Sequence, residues 1–155
     1  MDGLQKFGLE HVGVIVEELE RADAYFRENF GIETFQYYDF APLRAWSYGK
    51  PVEGYRLKIA MGTVNGRTSM IELIQPVAGE GVHRDFLRAG GTGIHHLAYK
   101  VEDFDAWKKH YRDLGVPLLF EAETEDPVNG YRRCLYVEDP AYHLVVEIKE
   151  KAVFR

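Results

Sequence analysis

The chain has 155 residues, of which 46% are hydrophobic and 14% aromatic, and its formal net charge is −6 at neutral pH. An acidic chain is repelled by polyanions, so we expect no nucleic-acid partner. No apolar run approaches the roughly 20 residues that span a bilayer, and no charged-then-apolar leader opens the chain. We therefore expect no membrane association and a cytoplasmic location. Cys134 is the single cysteine, which excludes an internal disulfide.

The first part of the chain has the periodicities of a strand, a helix and three further strands. In segment 12–16, valines at positions 12, 14 and 16 alternate with the residues between them. This pattern predicts a strand with one face on a helix and the other on a cavity. Apolar residues recur at helical spacing from Leu19 to Phe30, and Gly31 predicts the end of that helix. Three further strands are predicted near residues 32–38, 55–62 and 69–75.

The later part of the chain repeats this order of elements. Segment 97–101 alternates in the same way, and Asp103 predicts the start of a helix that ends at Gly115. Three strands are predicted near residues 117–123, 131–137 and 143–149. The order βαβββ therefore occurs twice, which predicts an α+β fold.

The two repeats divide the chain. Module one is predicted at residues 8–76, a glycine-containing linker with a short helix at 77–92, and module two at 93–150. Halves of about 70 residues are marginally stable alone. We therefore expect one compact domain over residues 1–155.

Two short phrases occur in the same order in both halves. His11-Val12-Gly13 precedes Ile71-Glu72-Leu73, and His96-Leu97-Ala98 precedes Val146-Glu147-Ile148. Two imidazoles and two carboxylates are sufficient ligands for one divalent metal ion, and an ionised glutamate in such an apolar strand needs a cation. We therefore predict a metal site formed by His11, Glu72, His96 and Glu147.

The neighbours of the predicted ligands also lead to expectations. Gly13 and Ala98 are small residues on the same strand faces as the histidines, so we expect them to leave room for a substrate. His95 is one step from His96, which predicts that it points to the opposite, helix-packed face. His143 shares a face with the last predicted ligand but directly follows a predicted turn, so a site role is less favoured. The remaining histidines are interpreted as structural or surface residues: His83, His95 and His110.

Two further segments allow more than one interpretation. Residues 43–68 are basic, which suits a solvated strand, a dimer contact or an anionic substrate; the cations are Arg44, Lys50, Arg56, Lys58 and Arg67, against the single acid Glu53. Residues 35–56 are aromatic, which suits core or dimer contacts or a pocket for a flat ligand; the members are Phe35, Tyr37, Tyr38, Phe40, Trp46, Tyr48 and Tyr55.

The chain resembles the vicinal oxygen chelate superfamily of glyoxalases, epimerases, fosfomycin-resistance proteins and extradiol dioxygenases. The likeness runs from Glu10-His11-Val12-Gly13 through Glu72-Leu73-Ile74-Gln75-Pro76 and Gly93-Ile94-His95-His96-Leu97-Ala98 to Val146-Glu147-Ile148. Within the superfamily, these segments are most similar to the methylmalonyl-CoA epimerases. The resemblance implies paired βαβββ modules that form an open, curved, eight-stranded mixed sheet around one metal ion. It also implies a homodimer.

The resemblance further implies a metal-dependent epimerase that removes the proton α to a carbonyl through a metal-stabilised enolate. Methylmalonyl-CoA is the first substrate candidate, and Glu147 and Glu53 are the candidate acid–base residues. Glu53 lies 19 residues before Glu72, a few more than in the family pattern. Histidine and carboxylate ligands accept Co, Ni, Mn, Fe or Zn.

Three other functions remain open. They are an epimerase or isomerase of an aromatic carbonyl compound without CoA, a glyoxalase I-type lyase, and a non-catalytic ligand-binding protein. An extradiol dioxygenase is disfavoured, because four protein ligands leave only two positions of an octahedron for catechol and oxygen.

Overall fold

The computed structural model describes residues 3–65 and 67–155, and side chains are described outside residues 67–70. A short 3₁₀ turn at Leu4–Phe7 precedes the first strand. The strands and helices, in chain order, are β1 (His11–Ile15), α1 (Leu19–Phe30), β2 (Thr34–Phe40), β3 (Arg44–Ser47), β4 (Lys50–Val52), β5 (Arg56–Val64), β6 (Arg67–Ala78), α2 (Val82–Gly90), β7 (Gly93–Val101), α3 (Phe104–Asp113), β8 (Leu118–Asp126), β9 (Gly130–Glu138) and β10 (Val145–Glu150).

The ten strands of the described residues form one curled, mixed sheet. Their order across the sheet is β2-β5-β6-β1-β7-β10-β9-β8-β3-β4. β1 pairs in parallel with β6 and antiparallel with β7, and β7 pairs in parallel with β10. The prediction of eight strands was wrong, because the short strands β3 and β4 extend the sheet beyond β8.

The β3–β4 hairpin carries little signal in the sequence. Both residues of its turn, Tyr48 and Gly49, have positive φ, which matches the two-residue turns that suit a hairpin. A tyrosine rarely adopts this conformation, so the residue types do not mark the turn. Because β3 pairs with β8, a segment from the first half of the chain extends the sheet beyond the last strand that the second half contributes.

The helices largely follow the sequence. Gly31 adopts the left-handed conformation that ends α1, and the Asp103 side chain accepts the backbone N–H of Ala106 at the start of α3, so both predicted ends are confirmed. α2 is the predicted helix between the modules, although β6 continues to Ala78, beyond the predicted start of the linker. Among the described residues, no helix combines the length and apolar composition needed to cross a bilayer.

Buried apolar side chains form three clusters on the two faces of the sheet. On the outer face, one cluster joins Leu19 of α1 to Leu73, and another surrounds Trp107 of α3. The inner-face cluster draws on β5 and β6 from one half, on β8 and β9 from the other, and on Val82 of α2. Phe120, in this inner cluster, is almost fully buried. The inner face is therefore a shared core of both halves, closed at one end by α2.

Candidate metal centre

The four predicted ligands lie on four neighbouring strands at the centre of the sheet. His11 is on β1 and His96 on β7, while Glu72 and Glu147 lie on the flanking strands β6 and β10. Gly13 is in register with both Glu72 and His96, so these side chains share one face of the sheet. The repeat selected these four residues, and the structure places all of them on the inner face.

The ligand atoms of the four residues converge. They lie within 4.8 Å of one another, and all four residues are buried. His11 Nε2 lies 2.9 Å from Glu72 Oε2 and 3.2 Å from Glu147 Oε2. His96 Nε2 lies 3.3 Å from the same Glu147 oxygen and 3.2 Å from His11 Nε2. Ligands about 2.1 Å from one ion stand roughly 3.0 Å apart in an octahedron, so this spacing suits a divalent cation.

The four side chains do not provide hydrogen bonds for all of their own buried polar atoms. The two imidazole nitrogens that face each other at 3.2 Å can share only one proton. Glu147 Oε2 is buried and makes no well-directed hydrogen bond to any described residue. Lone pairs that converge in this way are satisfied by a cation. The donor set of two nitrogens and two carboxylate oxygens therefore fits a divalent metal ion.

Mutual attraction outweighs burial in setting the charges of the cluster. Burial opposes the charged form of His11 and His96, but Glu72 and Glu147 raise the pKa of both histidines above the usual range. Burial likewise opposes ionisation of the two glutamates, but the histidines and Lys149 hold both pKa values below the usual range. Without metal, the cluster therefore holds ionised carboxylates beside a protonated imidazole at neutral pH.

Gly13 makes room for a predicted ligand. A Cβ atom at this position would lie 2.2 to 2.6 Å from ring atoms of His96. The expectation that Gly13 leaves room for a substrate was therefore wrong, because the imidazole fills that space. Ala98, in register with both His11 and Glu147, is fully buried.

Glu10 and His95 each precede a histidine of the cluster and contact its second ring nitrogen. Glu10 Oε2 lies 3.3 Å from His11 Nδ1, and His95 Nδ1 lies 3.0 Å from His96 Nδ1. Burial, with a smaller effect of His96, lowers the pKa of His95 to about 3, so the His95 ring is neutral at neutral pH. The His95 contact is a hydrogen bond, whereas the Glu10 contact is an ion-pair approach without hydrogen-bond geometry. A hydrogen bond to the second ring nitrogen fixes the ring orientation of a metal-binding histidine.

The predicted orientation of His95 was wrong. Gly13 is in register with His96 but Val14 with Ile94, so His95 is the extra residue of a β-bulge. The bulge turns His95 toward the cluster, where its ring lies 5.4 Å from that of Tyr136. It does contact a helix, because Phe86 of α2 lies edge-on to it.

His83 of α2 joins two tyrosine hydroxyl groups. Its Nδ1 lies 2.7 Å from the Tyr55 hydroxyl and its Nε2 3.0 Å from the Tyr136 hydroxyl. Burial lowers the pKa of His83 well below the usual range, so its ring is neutral and donates one bond while accepting the other. His83 thereby holds Tyr136 against His96, whose ring centroid is 4.8 Å away.

A small cavity adjoins the cluster. Its volume is about 30 Å³, which is room for one or two water-sized molecules, and Glu72 and Glu147 form part of its wall. A second cavity of about 180 Å³ shares three wall residues with it and is also lined by exposed residues. The shared residues are Tyr38, Arg132 and Lys149.

Sequence reasoning named Tyr38 only as a member of the aromatic segment and did not identify Arg132 or Lys149. The Tyr38 hydroxyl donates to Glu72 Oε1 over 3.2 Å. Lys149 carries a signal, because it lies two residues after Glu147 and alternation places it on the same face. Arg132 carries none, since its position depends on the register of β9 with β8.

Two other candidates lie away from the cluster. Glu53 is exposed at the bend that follows β4, so its carboxylate does not join the buried groups. His143 is also exposed, and its Nδ1 lies 3.0 Å from Glu138 Oε1.

The aromatic and basic segments do not gather at the cluster. Tyr38 and Phe40 line the small cavity, whereas Tyr37 and Tyr48 are exposed. Of the basic residues, Arg44 pairs with Glu123 on the β3–β8 edge. The side chain of Arg67 lies outside the described residues. The described cations beside the cluster come instead from module two.

Comparison with known families agrees with this fold. A family model described as the glyoxalase/bleomycin resistance protein/dioxygenase superfamily matches residues 10–135. The chain therefore belongs to this superfamily, and the resemblance seen in the sequence is confirmed.

Several of the similar proteins are named as epimerases. An ethylmalonyl-CoA/methylmalonyl-CoA epimerase of Cereibacter sphaeroides is 26% identical over 123 residues, which cover 79% of this chain and 81% of that protein. The crystal structure of methylmalonyl-CoA epimerase from Mycobacterium tuberculosis has a TM-score of 0.64 at 26% identity, covering 94% of this chain and 89% of that one. A Streptomyces coelicolor methylmalonyl-CoA epimerase variant in complex with 2-nitronate-propionyl-CoA gives 0.64 at 21% identity, covering 94% and 97%. At 21% identity, the similarity to the Streptomyces coelicolor protein supports the fold alone.

Proposed function

We propose that this protein is a metal-dependent epimerase that removes and returns the proton α to the carbonyl of an acyl-CoA thioester, with methylmalonyl-CoA as the first candidate. The observation that carries the proposal is the convergence of four buried ligand groups, two from each half of the chain, beside a cavity. The similarity to proteins named methylmalonyl-CoA epimerases supports the choice of reaction and substrate.

His11, Glu72, His96 and Glu147 would hold the metal ion. Two nitrogen and two carboxylate donors suit Co, Ni, Mn, Fe or Zn. A bound divalent ion supplies positive charge that stabilises the enolate formed when the α-proton leaves. Glu10 and His95 contact the Nδ1 atoms of the two imidazoles, on the side away from the metal site, and would help to keep the rings oriented.

Proton transfer is assigned to the carboxylates of the cluster. Glu147 is ionised at neutral pH, because the neighbouring histidines and Lys149 hold its pKa low, and it borders the cavity. Epimerisation requires a second group that returns the proton to the opposite face of the enolate. Glu53 is exposed after β4, whereas Glu72 occupies the position in module one that Glu147 occupies in module two. We therefore assign Glu72 as the second proton carrier in place of Glu53.

The test is deuterium exchange at the α-carbon. Metal-loaded protein in D₂O is incubated separately with (2R)- and (2S)-methylmalonyl-CoA, and deuterium uptake is followed by mass spectrometry. Glu147→Gln and Glu72→Gln keep an oxygen donor for the metal but cannot take a proton. We expect Glu147→Gln to slow exchange from one isomer and Glu72→Gln from the other, each by roughly 100-fold or more.

Controls separate the proton-transfer role from metal binding. Metal content is measured for each variant, and Glu125→Gln, a change on the exposed face of β8, should leave exchange unaltered. Absence of exchange in the loaded wild-type protein would refute the epimerase proposal. Parallel incubations with a hemithioacetal and with aromatic α-chiral ketones identify a lyase or a non-CoA isomerase instead.

A further inference from the structure

Arg132 lines both cavities and keeps one hydrogen-bond donor that no described residue pairs. Its side chain is only 12% exposed, and its Nη1 donates to Asp126 Oδ2 at 2.8 Å and to the Gly130 carbonyl at 2.9 Å. Its Nη2 is buried and has no hydrogen-bond partner among the described residues. A buried guanidinium nitrogen without an acceptor is unfavourable, so this position calls for an acceptor that the chain itself does not provide.

Lys149 places a second cation on the same wall. Its side chain is 15% exposed, and its ammonium lies 3.0 Å from Glu10 Oε2. Glu10 also pairs with Lys100, at 2.7 Å, so two ammonium groups share one carboxylate. Asp126 offsets the charge of Arg132, whereas Lys149 also interacts with the carboxylates of Glu147 and Glu72. When a divalent ion neutralises those two carboxylates, one positive charge of this wall is left unbalanced. Glu150, nearby, is bound by Arg133.

The two cations lie next to the proposed metal ligands. Both line the small cavity that Glu72 and Glu147 border, and both also line the outer cavity. Lys149 is two residues beyond Glu147 on the same strand face, a separation of about 7 Å. The Arg132 guanidinium lies 5.8 Å from the ring of Tyr38, whose hydroxyl donates to Glu72. One small substrate could therefore place an anionic group beside these two cations and another of its atoms beside the cluster.

We infer that Arg132 and Lys149 form an anion subsite that binds a free carboxylate of the substrate. Bidentate contact between guanidinium and carboxylate provides both charge and direction. The inference rests on the proposed function and narrows it. The substrate class becomes a thioester with a carboxylate on its α-carbon, such as a malonyl half-thioester, rather than a neutral ketone.

The first test measures binding without turnover. Methylmalonate is titrated by calorimetry into metal-loaded wild-type protein and into Arg132→Gln and Lys149→Gln. We expect each variant to bind methylmalonate roughly 10- to 100-fold more weakly, the loss expected for a charge-assisted hydrogen bond. Cobalt affinity should be unchanged in Arg132→Gln. Arg44→Gln, which removes an exposed arginine at the other edge of the sheet, is the matched control.

A second variant guards against damage to the β8–β9 turn, where Arg132 holds Asp126. Asp126→Asn removes that partner while keeping the arginine, so methylmalonate should bind at least as tightly as in wild type. Weaker binding in Asp126→Asn than in Arg132→Gln would assign the effect to the turn and overturn the subsite. Acetyl-CoA carries phosphates but no free carboxylate; an equal loss of acetyl-CoA binding in Arg132→Gln would also overturn it.

The last arm separates failure of the subsite from failure of the proposed reaction. Exchange is compared for methylmalonyl-CoA and for 2-methylacetoacetyl-CoA, which has a neutral ketone in place of the carboxylate. Arg132→Gln should lower exchange of the first by roughly 10- to 100-fold and change the second by less than about twofold. Equal losses would refute the subsite while leaving the epimerase proposal intact. Arg132-dependent methylmalonate binding without exchange of either thioester would support the subsite and refute the reaction.

Discussion

Gly13 shows how one missing Cβ atom controls the cluster. We predict that Gly13→Ala displaces the His96 ring, because the new Cβ would lie 2.2 Å from it. Steric crowding of a closely fitted core costs about 1–3 kcal/mol, so metal-free protein should lose that much unfolding free energy. Metal titration should show weaker binding. The matched control is Gly93→Ala on β7, whose Cβ would meet its nearest neighbour at 3.6 Å. Equal effects of the two substitutions would contradict this account.

The protons on the histidines lead to a pH prediction. Although burial opposes it, Glu72 and the other neighbouring carboxylates raise the pKa of His11. Its protonated form therefore stabilises the metal-free fold below about pH 6.5, and this contribution is lost as pH rises through the raised pKa. The glutamates, with lowered pKa values, contribute above about pH 4.5 and lose that contribution as pH falls.

A metal ion binds the deprotonated imidazole, so the proton must leave. We expect about one proton to be released per metal ion at pH 7, and affinity to fall as pH is lowered. Calorimetry in two buffers of different ionisation enthalpy measures this number. His110→Ala, a change on α3 outside the cluster, should not alter it. Binding without proton release at pH 7 would contradict the protonated cluster.

At the scale of elements, patterns that are local in the sequence were predictable and pairings were not. α1 and α3 each bury one apolar face, so their periodicity and their terminal residues Gly31 and Asp103 located them. The β3–β4 hairpin depends on β8, which lies far along the chain, and its turn residue Tyr48 gives no warning. The orientation of His95 likewise depends on a bulge in the pairing of β7 with β1.

The same distinction applies to the candidate site. The four cluster residues could be identified because each half of the duplicated chain provides one histidine and one glutamate, each within a predicted strand. Their approach to within 4.8 Å follows from the central position of β6, β1, β7 and β10. Arg132 could not be identified, and Tyr38 could be named only as one of seven aromatic residues, since neither belongs to the repeat and each reaches the cavity through the register of its strand.

At the scale of the whole molecule, a metal ion would join the two halves, because each half contributes one histidine and one glutamate. We therefore predict a single unfolding transition that moves upward when metal is added. Free metal at 100 times its dissociation constant adds about 2.7 kcal/mol of stability. For a chain of this size, that corresponds to a rise of roughly 5–10 °C in Tm. Differential scanning calorimetry with and without a chelator measures the shift.

The control for this prediction is His96→Ala, which removes one ligand and should abolish most of the shift, while His110→Ala should preserve it. Protein concentration is varied in the same series, because the homodimer predicted from the family likeness would make Tm rise with concentration. The inner-face core, with Phe120 from one half and Val82 of α2 packed beside strands of the other, is the physical reason to expect one transition. Two separated transitions would show that the halves unfold independently, and the metal would then stabilise an interface between halves instead of a common core.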